Sequence, residues 1–180
     1  MTLLAGLPLT DRNLILTGYT GPNQPPVGRL VAARLGWRFV SVDTLIEDRA
    51  GMSLDEIRAV FGESRLKTLE TEIVLEAALY RDTVIRISGQ TLLRSGHYER
   101  LAATGPVICL VAALDAVLQR EHLALGARYH NPNERALAVG HLKREWAARR
   151  LPGIHVIDTT YMTADEMVEA VAARWRELVI

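Results

Sequence analysis

Short apolar runs alternate along this chain with longer segments in which apolar residues recur every three to four positions. The short runs are Asn13–Thr17, Arg38–Val42, Thr83–Ser88, Pro106–Ala112 and His155–Asp158. PVICLVA is apolar throughout, and NLILT and TVIRIS each hold a core of adjacent apolar residues, LIL and VI. Strands of a parallel sheet covered on both faces must read that way, because neither side meets water. Helical periodicity covers Val27–Gly36, Asp43–Ala50, Leu54–Phe61, Arg65–Tyr80, Leu92–Thr104, Leu114–Leu123, Glu134–Arg149 and Ala164–Leu178. The alternation predicts βαβ units, hence an α/β protein with three αβα layers and a mostly parallel sheet built from the five short runs.

Local signals sharpen the boundaries. Ser53 with Glu56, and Thr163 with Glu166, have the S/T-x-x-E spacing of a helix capping box. Gly36, Gly51 and Gly105 stand where helices should stop. The least regular stretch is GARYHNPN, Gly126–Asn133, whose glycine, proline and asparagines predict a loop or lid. With no repeat, low-complexity tract or linker, residues 1–180 read as one domain.

Composition removes several function classes. The 21 basic and 21 acidic side chains cancel, so nothing favours nucleic acid. The N-terminal MTLLAGLPLT lacks the basic start and long apolar core of a signal peptide, and no run is long enough to span a membrane. The single Cys109 lies in an apolar strand, which suits a buried, inert thiol in a reducing compartment. The expectation is a cytoplasmic protein that engages neither nucleic acid nor membrane. His97, His122, His130, His141 and His155 have no metal-ligand spacing, and no metal site is expected. Trp37, Trp146 and Trp175 fit helix–sheet packing.

The chemistry concentrates in GYTGPNQPPVGR, Gly18–Arg29, between the first strand and first helix. A phosphate loop belongs there: backbone N–H groups and the helix start receive phosphates, a lysine neutralises them, and a hydroxyl holds magnesium. Against G-x-x-x-x-G-K-[S/T], Gly18 keeps the first glycine. Asn23 replaces the second, Gln24 the lysine and Pro25 the hydroxyl residue.

The chain as a whole resembles the shikimate kinases, whose longer loop pattern is G-x-x-G-x-G-K-[S/T]-[S/T]-x-G-[R/K]. Gly18, Gly21, Gly28 and Arg29 fit it without a gap, with Pro26 at the second hydroxyl position. The family then has D-x-D-x-x-I-E, matched by SVDTLIE, and G-x-x-I-x-x-I-F-x-x-x-G-E-x-x-F-R-x-x-E, matched by Gly51 and SLDEIRAVFGESRLKTLE. The resemblance implies a P-loop fold like that of the nucleoside monophosphate kinases, with ATP and magnesium as cofactors only if the activity is retained. It places the substrate-hydroxyl and proton-accepting aspartate at Asp43, and a neutral Ser41 where the family has a magnesium-associated acid. It places Lys67 at a substrate-carboxylate arginine, Ser88-Gly89-Gln90 at a substrate-contacting triple glycine, Arg128 at the lid arginine, and Arg150 at a second carboxylate-binding arginine. The implied ligand is a small hydroxylated carboxylic acid.

Each residue also has a plainer reading. Gly18, Gly21 and Gly28 suit a tight turn and close packing. Asp43 suits an N-cap for a helix starting at Thr44. Lys67, Arg128 and Arg150 suit a solvated surface. The loop changes still all weaken phosphate binding. A charge-assisted hydrogen bond contributes about 1.5–3 kcal/mol. Gln24 removes one such contact with its charge, Pro25 a hydroxyl and an N–H, and Pro26 a further N–H. At about tenfold each, four losses reach on the order of 10⁴-fold. Proline in a first helical turn is nonetheless tolerated, so the helix start is spared. The leading expectation is a shikimate-kinase-like protein impaired or inactive in phosphoryl transfer, with a binding or regulatory role. An active small-molecule kinase and a non-enzymatic interaction module are the alternatives.

Overall fold

The computed structural model describes residues 12–18, 27–94, 96–126 and 130–179. The strands are β1 (Leu14–Gly18), β2 (Arg38–Ser41), β3 (Thr83–Arg86), β4 (Val107–Val111) and β5 (His155–Asp158). The helices are α1 (Val27–Leu35), α2 (Val42–Ala50), α3 (Leu54–Phe61), α4 (Glu63–Ala77), α5 (Gly89–Leu92), α6 (His97–Ala102), α7 (Leu114–Leu125), α8 (Pro132–Trp146) and α9 (Ala164–Val179). A 3-10 turn, Ala147–Arg150, follows α8. The strands form one five-stranded parallel sheet in the order β2-β3-β1-β4-β5. This is the three-layer α/β arrangement expected of the alternating pattern.

Side-chain alternation along the strands assigns the layers. Leu14 and Leu16 of β1, with Val84 and Ile108, face Val27, Val31, Met167 and Val171 of α1 and α9. Ile15, Ile85 and Ile87 point the other way, onto Val42, Ile46, Ile57, Leu66 and Ile73 of α2, α3 and α4. At about 1.5–3 kcal/mol for each large aliphatic side chain removed from water, these two clusters supply the main drive to fold. Trp37, just after α1, and Trp175 of α9 pack edge-to-face with ring centroids 4.7 Å apart.

Asn13 closes the sheet edge remote from the candidate site. Its amide donates to the Tyr80 carbonyl at 2.7 Å and the Thr104 hydroxyl at 3.2 Å, and its oxygen accepts from the Thr83 N–H at 3.3 Å. Gly105 lies against this residue, and a Cβ there would stand 1.8 Å from the Asn13 carbonyl oxygen. Its smallness therefore serves strand packing, and α6 stops at Ala102 without it.

Both capping boxes form: Ser53 with Glu56 at α3, and Thr163 with Glu166 at α9. Gly51 ends α2 in the left-handed region at φ 69°. Three expectations are corrected. The pattern over Leu92–Thr104 is two helices, α5 and α6, because Gly96 at φ 79° interrupts the backbone. The loop expected over Gly126–Asn133 is shorter, since Asn131 caps α8 by accepting from the Asn133 N–H at 2.9 Å and Pro132 is already helical. Asp43 is not an N-cap. Helix α2 starts at Val42, the cap residue is Ser41, and Asp43 lies in the first turn. Among the described residues, no helix is long and apolar enough to cross a membrane.

Candidate functional site

Four elements converge at the carboxyl end of the sheet, where open α/β sheets form their ligand crevices. Strand β1 delivers Gly18, the β2–α2 junction Ser41 and Asp43, the end of β3 and the segment after it Arg86 to Gly89, and the end of α8 Glu145. The loop residues Gly21, Asn23, Gln24, Pro25 and Pro26, and the lid Arg128, lie outside the described residues.

Gly18 is held on two sides. Its φ is 89°, and an added Cβ would be 2.0 Å from the Leu110 carbonyl oxygen of neighbouring β4. Its own carbonyl accepts a hydrogen bond from Arg86 Nη2 at 2.8 Å. Arg86 Nη1 donates to the Ile87 carbonyl. Gly28 lies in α1 where a Cβ would meet the Phe39 ring at 2.5 Å, so it sets the helix–strand distance.

Asp43 is half-buried. Burial raises its carboxyl above the ordinary carboxylate range; Arg86 and Arg58 oppose this, and Glu145 and Glu47 reinforce it. The neutral form is therefore favoured by folding. That contribution is fully present below the unfolded value and is lost as pH rises through the higher folded one. Asp43→Asn is thus expected to stabilise the protein by about 0.5–2 kcal/mol in mildly alkaline solution. Thermal melts should show the gain vanishing in acid, where both states of the wild-type carboxyl are protonated.

Gly89 donates its N–H to Glu145 Oε2 at 2.6 Å, and Glu145 is 2% exposed. A Cβ on Gly89 would stand 2.2 Å from the Glu145 carbonyl oxygen, so α8 rests directly on this backbone. The Ser88 hydroxyl is turned onto the start of α5, accepting from the Thr91 N–H at 3.2 Å and donating to the Thr91 hydroxyl at 2.9 Å. Gln90 is exposed.

A polar cluster lies behind this floor. Buried Glu70 of α4 pairs with Arg94, and its second oxygen accepts from the Thr91 hydroxyl at 3.4 Å. Arg94 also reaches Glu63 at 3.1 Å. Burial raises the Glu70 carboxyl, which Arg94 partly offsets. Arg58, at the phenylalanine position of the pattern quoted above, pairs with Asp55 at 3.0 Å and Glu63 at 3.2 Å. His97 is buried, with Nδ1 donating to the Thr91 carbonyl at 2.8 Å.

The geometry thus brings Gly18, Asp43, Ser88 and Gly89 together. Lys67 is exposed on α4 and Arg150 is exposed at the end of the 3-10 turn. Sequence reasoning missed Arg86, Arg94, Glu70 and Glu145 as site residues. Arg86 had a signal, being a lone charge inside a buried strand; Glu145 had none, sitting in the polar run KREW.

A magnesium ion finds a poor donor set. Ser41 is a neutral hydroxyl, Asp43 is acted on by Arg86, and no group of three His, Cys, Asp or Glu among the described residues is arranged to hold a metal. Cys109 is buried, with its thiol pushed up to about 11, and is inert as expected.

The family profile described as shikimate kinase matches residues 26–177. The shikimate kinase of Thermodesulfovibrio yellowstonii is 31% identical over 174 residues, spanning 93% of this chain and 96% of that one. That of Moorella thermoacetica is 31% identical over 164 residues, spanning 90% of each. Among solved structures, the shikimate kinase of Acinetobacter baumannii in complex with shikimate superposes with a TM-score of 0.76. It is 23% identical and covers 93% of this chain and 94% of that one. The Bacteroides thetaiotaomicron enzyme gives 0.72 at 20% identity, covering 93% and 98%.

Proposed function

The chain belongs to the shikimate kinase family, and from that membership we propose that it keeps the acceptor end of the family's cleft while being impaired in ATP-dependent phosphoryl transfer. The observation that carries this reading is the state of the positive charge at the root of the loop. Gln24 stands where the loop lysine belongs, and the cation next to Gly18, Arg86, is committed to the carbonyls of Gly18 and Ile87. Phosphoryl transfer depends almost wholly on positioning and charge neutralisation, so a loop that has lost its lysine beside an arginine already committed to backbone carbonyls loses much of its catalytic means. The acceptor side is better equipped. Asp43 is partly exposed at the strand ends, as a residue receiving the hydroxyls of a small ligand must be. A binding or regulatory role for such a ligand follows.

Calorimetry and thermal shift with Mg–ATP test the donor side. No heat of binding and no shift are expected at millimolar nucleotide. Tight, magnesium-dependent binding would sink the reading.

One observation favours a working kinase instead. A carboxyl raised above its ordinary range, as Asp43 is, holds a proton more strongly than an ordinary carboxylate, which suits a general base that takes a hydroxyl proton. A coupled ADP-release assay with shikimate and related hydroxy acids decides between the two, and silence with all of them removes the second.

A further inference from the structure

The charges around Asp43 carry a statement about ligand class. Two acids, Glu145 and Glu47, and two arginines, Arg86 and Arg58, act on it. Both arginines are already bonded: Arg86 to two backbone carbonyls, Arg58 to Asp55 and Glu63. Arg94 is likewise bonded to Glu70 and Glu63. Arg149, on the 3-10 turn, acts on Cys109, and Lys67 and Arg150 are exposed. Meanwhile the Gly89 N–H, a backbone donor on the crevice floor, is occupied by the Glu145 carboxylate at 2.6 Å. An acid built into the fold holds the donor that an incoming acid would need.

We propose that Glu145 makes the acceptor end of the cleft select an uncharged hydroxylated ligand over one bearing a carboxylate. This rests on the acceptor-cleft reading above and specifies its ligand. Hydroxyls can donate to Asp43 and accept from the bonded guanidinium edges without adding charge. A ligand carboxylate would meet Asp43 and Glu145 in a partly dry site where the two arginines acting on Asp43, Arg86 and Arg58, are already bonded, and like charges placed together there oppose binding strongly.

Shikimate and its methyl ester share ring and hydroxyls and differ by one negative charge, so titrating each into the protein reads the preference directly. The ester is expected to bind about tenfold or more tightly than the acid. In Glu145→Gln, checked for folding by circular dichroism, that ratio should fall several-fold through a gain for the acid. Equal or tighter binding of shikimate by the wild type overturns the proposal, as does binding of neither. An unchanged ratio in folded Glu145→Gln overturns the role of Glu145. The wild-type ratio needs no variant, so the proposal is decided even if Glu145→Gln does not fold. Mg–ATP titrated into the same protein reads the donor end separately, so failure of either reading is seen on its own.

Discussion

Gly18→Val is expected to yield no folded protein. The residue sits at φ 89°, a region that β-branched side chains scarcely enter, and its Cβ would lie 2.0 Å from a backbone oxygen of β4. Relief requires the central strand β1 and its neighbour β4 to part, because the obstacle is main chain and not a rotatable side chain. The expected cost exceeds about 4 kcal/mol, a large share of the roughly 5–15 kcal/mol that holds a domain together. Soluble yield and a circular dichroism melt read the result. Gly36→Ala is the control: φ is 71°, but nothing lies within 4 Å of the added methyl, so only the backbone term remains, about 1–2 kcal/mol. A Gly18→Val protein melting like the wild type would contradict the β1–β4 approach described for this position. The prediction also separates two meanings of the first loop glycine. It is required by the sheet whether or not any phosphate binds.

The second large effect is a gain. Replacing Asn23→Gly, Gln24→Lys, Pro25→Ser and Pro26→Thr together should restore nucleotide binding. The charge, the hydroxyl and two backbone N–H donors return at once, and their combined worth is on the order of 10⁴-fold. Calorimetry with Mg–ATP should move from no detectable heat to a measurable isotherm. A thermal melt checks that the four-site variant is folded. If the folded four-site variant still binds no ATP, the defect extends beyond the loop into the walls of the cleft. Arg86 is then the residue to examine, because its guanidinium already fills the space beside Gly18.

What could be read from the chain follows from which forces are local. The strands were legible because burial on both faces demands continuous apolar runs, and the central ones supply them in NLILT and PVICLVA. The capping boxes were legible because a cap depends on residues three apart. The segment NPN was misread as loop because its turn residues also make an N-cap followed by proline at the first helical position, which is how α8 begins. The long pattern after Thr91 concealed a break, with Gly96 as its overlooked mark. In the site, Asp43 was visible through the spacing of its motif. The partners that set its charge were not. Glu145 approaches from 56 residues beyond the glycine it binds, and only tertiary structure brings the two together. A glutamate in a polar helical run has the same sequence signature whether it is solvated or sealed.

The three tryptophans divide the molecule optically. Trp37 and Trp175 are stacked edge-to-face in the α1–α9 layer, remote in packing from the Asp43 crevice, whereas Trp146 follows Glu145 and packs with Ala112, Val117 and Leu142. The coupled pair makes a near-ultraviolet signal that lasts as long as the C-terminal helix stays docked. Trp146 adjoins Glu145, the residue that holds the Gly89 N–H on the floor of the cleft. The tryptophans therefore sit in two separate packing environments, so replacing Trp146 with phenylalanine leaves the Trp37–Trp175 pair as the indole signal of the α1–α9 layer.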